Sequence, residues 1–189
     1  MKNIIIFLLI TFSQIGFTNG QQTVGGVPMP KKQMIGKTVL NLNGAGVREK
    51  LFMDMYACAL YLKKNTHTAS SVINADDHAA IKIHIISGLI SSKKMTDAVE
   101  EGFNNSTAGK TKAIRKEIDQ FKKVFSNTEI QKKDVYDIIY VPEKGTIIFK
   151  NGKIQPIIKG LAFKKALFGI WLCDKPADKD LKKAMLGNE

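Results

Sequence analysis

The run over residues 51–62, LFMDMYACALYL, constrains the fold of this chain more than any other stretch. It is apolar at odd and even positions alike, apart from Asp54. Because successive side chains of a strand point to opposite faces of a sheet, this pattern predicts a strand with both faces covered. Tyr56 and Cys58 should share one face with Leu60. A doubly covered strand that carries a tyrosine is therefore the expected framework of the fold.

Periodicity in the rest of the chain predicts the other elements. Period-two alternation and turn signals predict strands over 35–42, 81–85, 134–141, 145–150 and 153–158. Helical spacing and capping signals predict helices over 70–75, after 91–92, over 109–126, over 160–172 and from about 178. Strands, then helices, then a meander and further helices predict an α+β fold, with an antiparallel sheet and helices on one face.

Arg48 lies just before this run, after a bend or bulge that Gly44 and Gly46 are expected to allow. Arg48 and Arg115 are the only arginines among 29 basic residues, so lysine is the default cation of this chain. A planar guanidinium can hold a carboxylate through two parallel hydrogen bonds, which a lysine cannot do. Arg48 is therefore predicted to bind an anionic group, and pairing with the internal acid Asp54 is the alternative.

Composition narrows the classes of partner. The chain has 189 residues, of which 44% are hydrophobic, which is typical of one globular domain. Its formal net charge of +12 raises nucleic acid, an anionic lipid surface or an acidic ligand as partners. Lysine pairs are spread over the whole chain, and no nucleic-acid-binding motif accompanies them. We therefore expect a generally cationic surface and no nucleic acid partner; a membrane surface has no further support, and the oligomeric state is open.

The first 20 residues have the pattern of a secretory signal peptide, with a short positive start, an apolar segment and small residues at the end. We predict cleavage after Gly20, with Gly16 as an alternative, and a protein that is periplasmic or secreted. Residues 21–33 are polar and rich in glycine, proline and lysine. They are predicted to form a flexible leader, and residues 34–189 the folded domain.

Residue types that carry common catalytic chemistry lack the required spacing. The three histidines have no metal-ligand spacing, and no phosphate-binding glycine loop occurs, so we predict no metal and no cofactor. An oxidising compartment would permit a disulfide between Cys58 and Cys173, and two buried thiols are the alternative. Arg48 and Tyr56 are the polar pair that this leaves in an apolar framework. Such a pair suits an anionic, largely hydrophobic ligand.

Six segments, in order along the chain, carry a resemblance to a known family. They are GAGVREK at 44–50, MYACALYL at 55–62, EGF at 101–103, VPEKGT at 141–146, LFGIWLCDKP at 167–176 and DLK at 180–182. They resemble the chalcone isomerase-like family over residues 35–187, and its bacterial secreted branch most closely. The resemblance implies an open-faced β-sandwich, in which a large antiparallel sheet carries a layer of helices and a ligand cleft lies between them.

The resemblance also implies roles for single residues. The plant isomerases of the family use an arginine that favours the attacking phenolate, and it corresponds to Arg48. Their strand threonine corresponds to Tyr56 and their late-helix serine or threonine to Ile170, while their tyrosine falls near 107–109, where there is none. In noncatalytic relatives that bind fatty acids, an arginine and a tyrosine hold the carboxylate, and these correspond to Arg48 and Tyr56.

We therefore predict an exported chalcone isomerase-like protein that binds a small hydrophobic carboxylate, such as a fatty acid, without transforming it. One alternative is an intramolecular lyase of the chalcone isomerase type, with Arg48 as its catalytic residue. Another is a structural or interaction protein whose cleft is filled by its own bulky side chains. The side chains that could fill it are Met53, Met55, Phe168 and Trp171.

Overall fold

A computed structural model describes residues 21–188, so the predicted signal peptide over residues 1–20 lies outside the described residues. The strands are β1 (Gln21–Val24), β2 (Val27–Pro30), β3 (Lys32–Ile35), β4 (Thr38–Lys50), β5 (Met53–Leu62), β6 (Ala79–Ile85), β7 (Val135–Val141), β8 (Gly145–Lys150) and β9 (Lys153–Ile154). The helices are α1 (Ala69–Asn74), α2 (Ser92–Ser106), α3 (Arg115–Ser126), α4 (Leu161–Leu172) and α5 (Lys179–Met185).

Strands β3 to β9 form one antiparallel sheet in which the spatial order equals the order along the chain. Each strand pairs with its neighbours in sequence, as short connections favour. The turn between β8 and β9 has Asn151 and Gly152 at positive φ, as the predicted Asn-Gly hairpin requires. The helices cover one face of this sheet. The predicted α+β fold, an antiparallel sheet with a helix layer on one face, is confirmed.

Strand β5 is covered on both faces, as its apolar pattern predicted. Tyr56 and Cys58 belong to the main hydrophobic core, which the sheet shares with the helices. Ala57 and Tyr61, on the opposite face, belong to a second hydrophobic cluster. All four residues are buried. Alternate residues of β5 therefore serve two separate cores.

The second cluster is completed by part of residues 21–33, which the sequence pattern wrongly predicted as a flexible leader. In the structure β1 and β2 form a hairpin, and β3 is the edge strand of the main sheet. Val27 and Met29 of β2 are buried in the same cluster as Tyr61. Glycine and proline weaken the local strand signal of this segment. The apolar face of β5, far away in sequence, supplies the surface on which the hairpin packs.

Strand β4 begins later than the predicted strand over 35–42 and continues through Gly44 and Gly46. The expected bend or bulge is present as a register shift between Leu42 and Gly44, and a second shift lies between Arg48 and Glu49. The glycines also allow α5 to lie directly on β4. A Cβ atom at Gly44 would come within 2.1 Å of the Ala184 carbonyl oxygen, and one at Gly46 within 2.7 Å of the Ala184 Cβ. The absence of side chains, more than a bend, is what these positions require.

Helices α2 and α4 approach each other closely because each has a glycine at the contact. A Cβ atom at Gly102 would lie 2.7 Å from the side chain of Ile170, and one at Gly169 would lie 2.7 Å from that of Ser106. The helices therefore form a tight layer over the sheet.

Within residues 21–188, no helix is both long enough and apolar enough to cross a membrane.

Two predicted elements differ in extent from the observed ones. The helix predicted over 109–126 starts with a 3₁₀ turn at Lys112–Ile114 and becomes α-helical only in α3. The strand predicted over 153–158 ends at Ile154, and Ile158 pairs with Thr146 through an isolated bridge. Neither difference affects the order of the sheet.

Candidate functional site

The pairing of β4 with β5 places Arg48 directly opposite Tyr56. The guanidinium carbon of Arg48 lies 5.7 Å from the centre of the Tyr56 ring, within range of a cation–π contact. Both residues line a cleft between the sheet and the helix layer. The two residues selected from the sequence are therefore neighbours on one wall of a cleft.

In the part of the chain that the structure describes, no carboxylate neutralises the guanidinium of Arg48. Within residues 21–188, no acidic side chain lies within ion-pair distance of it, so the alternative pairing with Asp54 is not found. Its Nε atom is buried and has no hydrogen-bond partner among these residues. Arg115, by contrast, donates two hydrogen bonds to the carboxylate of Glu100, at 2.7 and 3.0 Å. The buried Nε of Arg115 also lacks a hydrogen-bond partner, so this feature does not distinguish the two arginines. Arg48 differs in having no carboxylate beside its charge among the described residues, which suits the site to an external anion.

Tyr56 presents a neutral hydroxyl group to the cleft. Its oxygen accepts a hydrogen bond of 3.0 Å from the indole nitrogen of Trp171. Burial raises the pKa of Tyr56 to about 12, although the nearby Arg48 charge acts in the opposite direction. The phenol is therefore protonated at neutral pH. Because its oxygen acts as acceptor for Trp171, its own proton is available to a ligand.

Trp171 is the site residue that sequence analysis assigned a different role, since it was considered only as a side chain that could fill the cleft. It lies on α4 and is buried. Its indole donor fixes the position of the Tyr56 hydroxyl. The two residues are 115 positions apart. No local pattern in the sequence could have shown this contact.

The cleft has a wide mouth and a narrow inner end. The mouth has a volume of about 420 Å³, which falls in the range of small-molecule sites. The inner end has a volume of only about 20 Å³ and is lined by apolar side chains that include Phe121 and Phe125. Arg48 and Tyr56 line both parts and so stand where the two meet.

The bulky side chains considered as fillers differ in position. Met53 and Met55 line the mouth without closing it, whereas Trp171 lines the inner end. Phe168 is fully buried in the main core and lines neither part. The inner end is therefore almost filled by the protein itself, while the mouth is open.

Charged residues around the mouth are of both signs. Lys50 from β4 and Lys94 from α2 add two cations to Arg48. Asp97 and Glu101 of α2 also line the mouth. Asp97 accepts a hydrogen bond of 2.6 Å from a lysine one turn earlier on α2. The cations therefore exceed the acids at the mouth, which favours an anionic group beside the strand wall.

A family model described as chalcone isomerase-like matches residues 21–187. This chain belongs to the chalcone isomerase-like family. The crystal structure of a fatty-acid-binding protein from Arabidopsis thaliana is similar, with a TM-score of 0.70 and 16% sequence identity, over 88% of this chain and 96% of that chain. No curated protein matches. The family predicted from the motifs is confirmed, and the structural neighbour shows the shared fold.

Positions that correspond to the remaining plant isomerase residues carry no hydroxyl group into the cleft of this chalcone isomerase-like domain. Ile170 lines the apolar inner end. Thr107 follows the end of α2 and lies with Gly109 along a separate surface depression that includes Cys173. The Thr107 hydroxyl donates to the carbonyl of Phe103 at 2.8 Å. The cleft thus keeps the arginine of the isomerase pattern without these hydrogen-bonding partners.

Among the described residues, the other reactive groups of the chalcone isomerase-like domain do not form a second site. Within residues 21–188, no cluster of three or more potential ligands could hold a metal ion. Cys58 and Cys173 are both reduced thiols in the structure. Burial raises the pKa of the Cys58 thiol, which makes it a poor nucleophile at neutral pH.

Lys164 of α4 is a fully buried cation whose surroundings explain it. Its ammonium group donates to the carbonyl oxygens of Val72 at 2.6 Å, Ile73 at 3.1 Å and Ala75 at 2.8 Å. These carbonyls belong to the C-terminal end of α1. Burial lowers the pKa of Lys164 to about 8, so the group is still mostly charged at pH 7. All three of its donors are used, which identifies it as a helix cap.

Replacement of Lys164 by methionine should lower the free energy of unfolding by about 2 kcal/mol, because hydrogen bonds from a charged donor to three carbonyls are lost. Urea denaturation followed by circular dichroism would measure the change. Lys165→Met is the matched control, since Lys165 is the next residue and more exposed. Equal stability of the two variants would show that Lys164 is not needed to hold α1.

Proposed function

We propose that this chalcone isomerase-like protein binds a fatty-acid-like carboxylate in its cleft without transforming it. The observation that carries the proposal is Arg48, which lies where the mouth meets the inner end and has no carboxylate beside it among the described residues. A carboxylate could accept two parallel hydrogen bonds from this guanidinium. Tyr56 supplies a neutral hydroxyl donor beside it. The fold shared with a fatty-acid-binding protein supports the same class of ligand.

Burial of the alkyl chain would provide most of the affinity, at about 0.8 kcal/mol for each methylene group. Hydrogen bonds from Arg48 would add about 1.5–3 kcal/mol and would orient the carboxylate. Because the inner end holds only about 20 Å³, the chain of the ligand would extend along the mouth, against Met53 and Met55. Flexible thioether side chains adapt well to ligands of variable shape.

The proposal is tested by native mass spectrometry of the protein purified from its own host. We expect an additional mass of fatty-acid size, or uptake of added fatty acid when none copurifies. A bare protein that takes up no fatty acid would contradict the proposal. Turnover of a chalcone, followed by its absorbance, would identify a lyase instead.

Chain length should affect binding in a way that the cleft volume determines. With about 30 Å³ for each heavy atom, as for water in the liquid, the mouth volume of about 420 Å³ holds roughly a dozen heavy atoms. Affinity should rise about fourfold with each added methylene up to this size and then level off. Isothermal titration with a series of saturated fatty acids would measure it. A rise that continues to the longest chains would show that the inner end opens.

The small inner end favours a second candidate function, that of a structural or interaction protein with a filled cleft. Phe121, Phe125 and Trp171 already occupy most of the space between sheet and helices. This candidate predicts no uptake of any carboxylate, whatever its chain length. The same titration therefore separates the two functions.

We also propose that the protein is exported, because its first 20 residues have the pattern of a signal peptide. N-terminal sequencing of the protein from the periplasmic or secreted fraction of its host should begin at Gln21, or at Phe17 if cleavage follows Gly16. An intact Met1 in the cytosolic fraction, with no protein in the exported fractions, would contradict this.

A further inference from the structure

The tip of the β4–β5 hairpin consists of two large apolar residues in solvent. Leu51 and Phe52 connect the paired residues Lys50 and Met53 as a two-residue turn. The side chain of Leu51 is 77% exposed and that of Phe52 is 102% exposed. Their φ angles are +52° and +62°. Such turns strongly prefer asparagine and glycine, so neither residue is explained by the stability of the turn.

The hairpin tip is part of a larger apolar rim. Met53 and Leu89 are also exposed, at 40% and 53%, and they line the cleft mouth together with Leu51. Within residues 21–188, eight large hydrophobic side chains are exposed, and four of them are these rim residues, Leu51, Phe52, Met53 and Leu89. A concentration of this kind marks an interaction surface.

The shape and charge of the rim fit a lipid bilayer. A protruding two-residue tip can enter the interfacial region of a bilayer without a complementary groove. Lys50 directly precedes the tip, and Lys94 lines the mouth together with the acids Asp97 and Glu101, so with Arg48 the cations outnumber the acids there. The acids Glu49 and Asp54 lie opposite each other in the next residue pair along the hairpin, further from the tip. The formal net charge of +12 adds attraction to anionic lipid over the whole chain.

We propose that the apolar rim docks on the surface of an anionic lipid bilayer, with Phe52 and Leu51 inserted among the lipids. Docking in this orientation would bring the cleft mouth to the membrane, where fatty acids partition. This proposal depends on the proposed function only for the class of ligand that the cleft would take. The docking surface itself rests on the exposure of the rim.

The test is flotation of the protein with vesicles of phosphatidylcholine that do or do not contain phosphatidylglycerol. Each variant is expressed from the full-length gene in its host. Intact mass shows whether the predicted signal peptide has been removed, and the same species is compared in all variants. Phe52→Gly removes the most exposed side chain and suits the positive φ at this position, so the fold is retained. We expect binding to anionic vesicles to weaken at least about tenfold in this variant.

The control is a double replacement of Ile154 and Ile157 by serine, because these two are also exposed but lie at the far end of the sheet. Its binding to vesicles should stay within about twofold of the wild type. Failure of the wild type to float with anionic vesicles, or equal binding by Phe52→Gly, would overturn the proposal. A wild-type dimer that Phe52→Gly converts to a monomer, with no vesicle binding, would assign the rim to a contact between copies.

The docking surface and the ligand site can fail separately. Phe52→Gly should keep fatty-acid binding in vesicle-free solution, because Phe52 does not line the cleft. Arg48→Met should keep vesicle binding, because Arg48 lies inside the cleft and is half-buried. Vesicle binding without fatty-acid uptake would contradict only the proposed function. Fatty-acid uptake without vesicle binding would contradict only the docking surface.

Discussion

Arg48→Met should weaken binding of a fatty acid by about 10- to 150-fold, which corresponds to the 1.5–3 kcal/mol of a charge-assisted hydrogen bond. The methionine keeps much of the apolar volume of the arginine side chain, so the alkyl part of the site is preserved. Stability should change by only about 1 kcal/mol or less, because no ion pair among the described residues is lost and the contact with the Tyr56 ring is a single cation–π one. Titration calorimetry and thermal unfolding of the same samples would measure both effects.

Arg115→Met is the matched control for Arg48→Met, because these are the two arginines of the chain. Arg115 pairs with Glu100 on the helix layer and does not line the cleft. Its replacement should leave ligand affinity within about twofold of the wild type. Equal affinity of the Arg48→Met variant and the wild type would show that the carboxylate is not bound by this residue. The ligand affinity of Arg48→Lys should lie between those of the wild type and Arg48→Met, since a lysine keeps the charge but cannot form the two parallel hydrogen bonds.

Gly44→Ala should lower the free energy of unfolding by about 3 kcal/mol, because a new methyl group has no space. Its Cβ atom would lie 2.1 Å from the Ala184 carbonyl oxygen and 2.9 Å from the Met185 carbonyl oxygen. Both are backbone atoms, so α5 as a whole must move. Asn43 ties α5 to β4 through a hydrogen bond of 2.8 Å to the Met185 carbonyl, and this bond would be strained. Urea denaturation would measure the loss.

Gly88→Ala is the control for Gly44→Ala, since a Cβ atom at Gly88 would meet no atom within 4 Å and the backbone there is not left-handed. Its stability should match or slightly exceed that of the wild type, because alanine restricts the unfolded chain. A Gly44→Ala variant as stable as Gly88→Ala would show that α5 can shift from β4 without cost.

The strands of the sheet and the hairpin turns between the last three of them followed from local patterns, whereas the full strand order came from the structure. Alternation over 81–85 and the Asn151-Gly152 turn indicate strands and a hairpin by their own chemistry, whatever the rest of the chain does. The pattern over 51–62 also predicted that both faces of this strand are covered by other parts of the chain. It did not identify the cover, because the hairpin that provides it has a sequence rich in glycine and proline. A segment of this kind acquires its strand conformation only by packing on a surface that another part of the chain creates.

The candidate site was predicted in the same partial way. The scarcity of arginine and the family motifs pointed to Arg48 and Tyr56, and the family itself followed from residues that stand in order along the chain. The strand register then placed the two residues opposite each other. The sequence alone therefore determined the fold class and the family, and it predicted this pair as the candidate site.

Only the tertiary structure showed that Arg48 has no carboxylate beside it within residues 21–188, and that Trp171 holds the hydroxyl of Tyr56. It also showed that Gly44 serves the close approach of α5, and that Phe52 stands in solvent at the rim of the cleft. Periodicity reports which face of an element is apolar. It carries no information on which distant side chain meets that face. Partners more than a hundred residues apart are set by packing of whole elements, and the chemistry of this cleft depends on those partners.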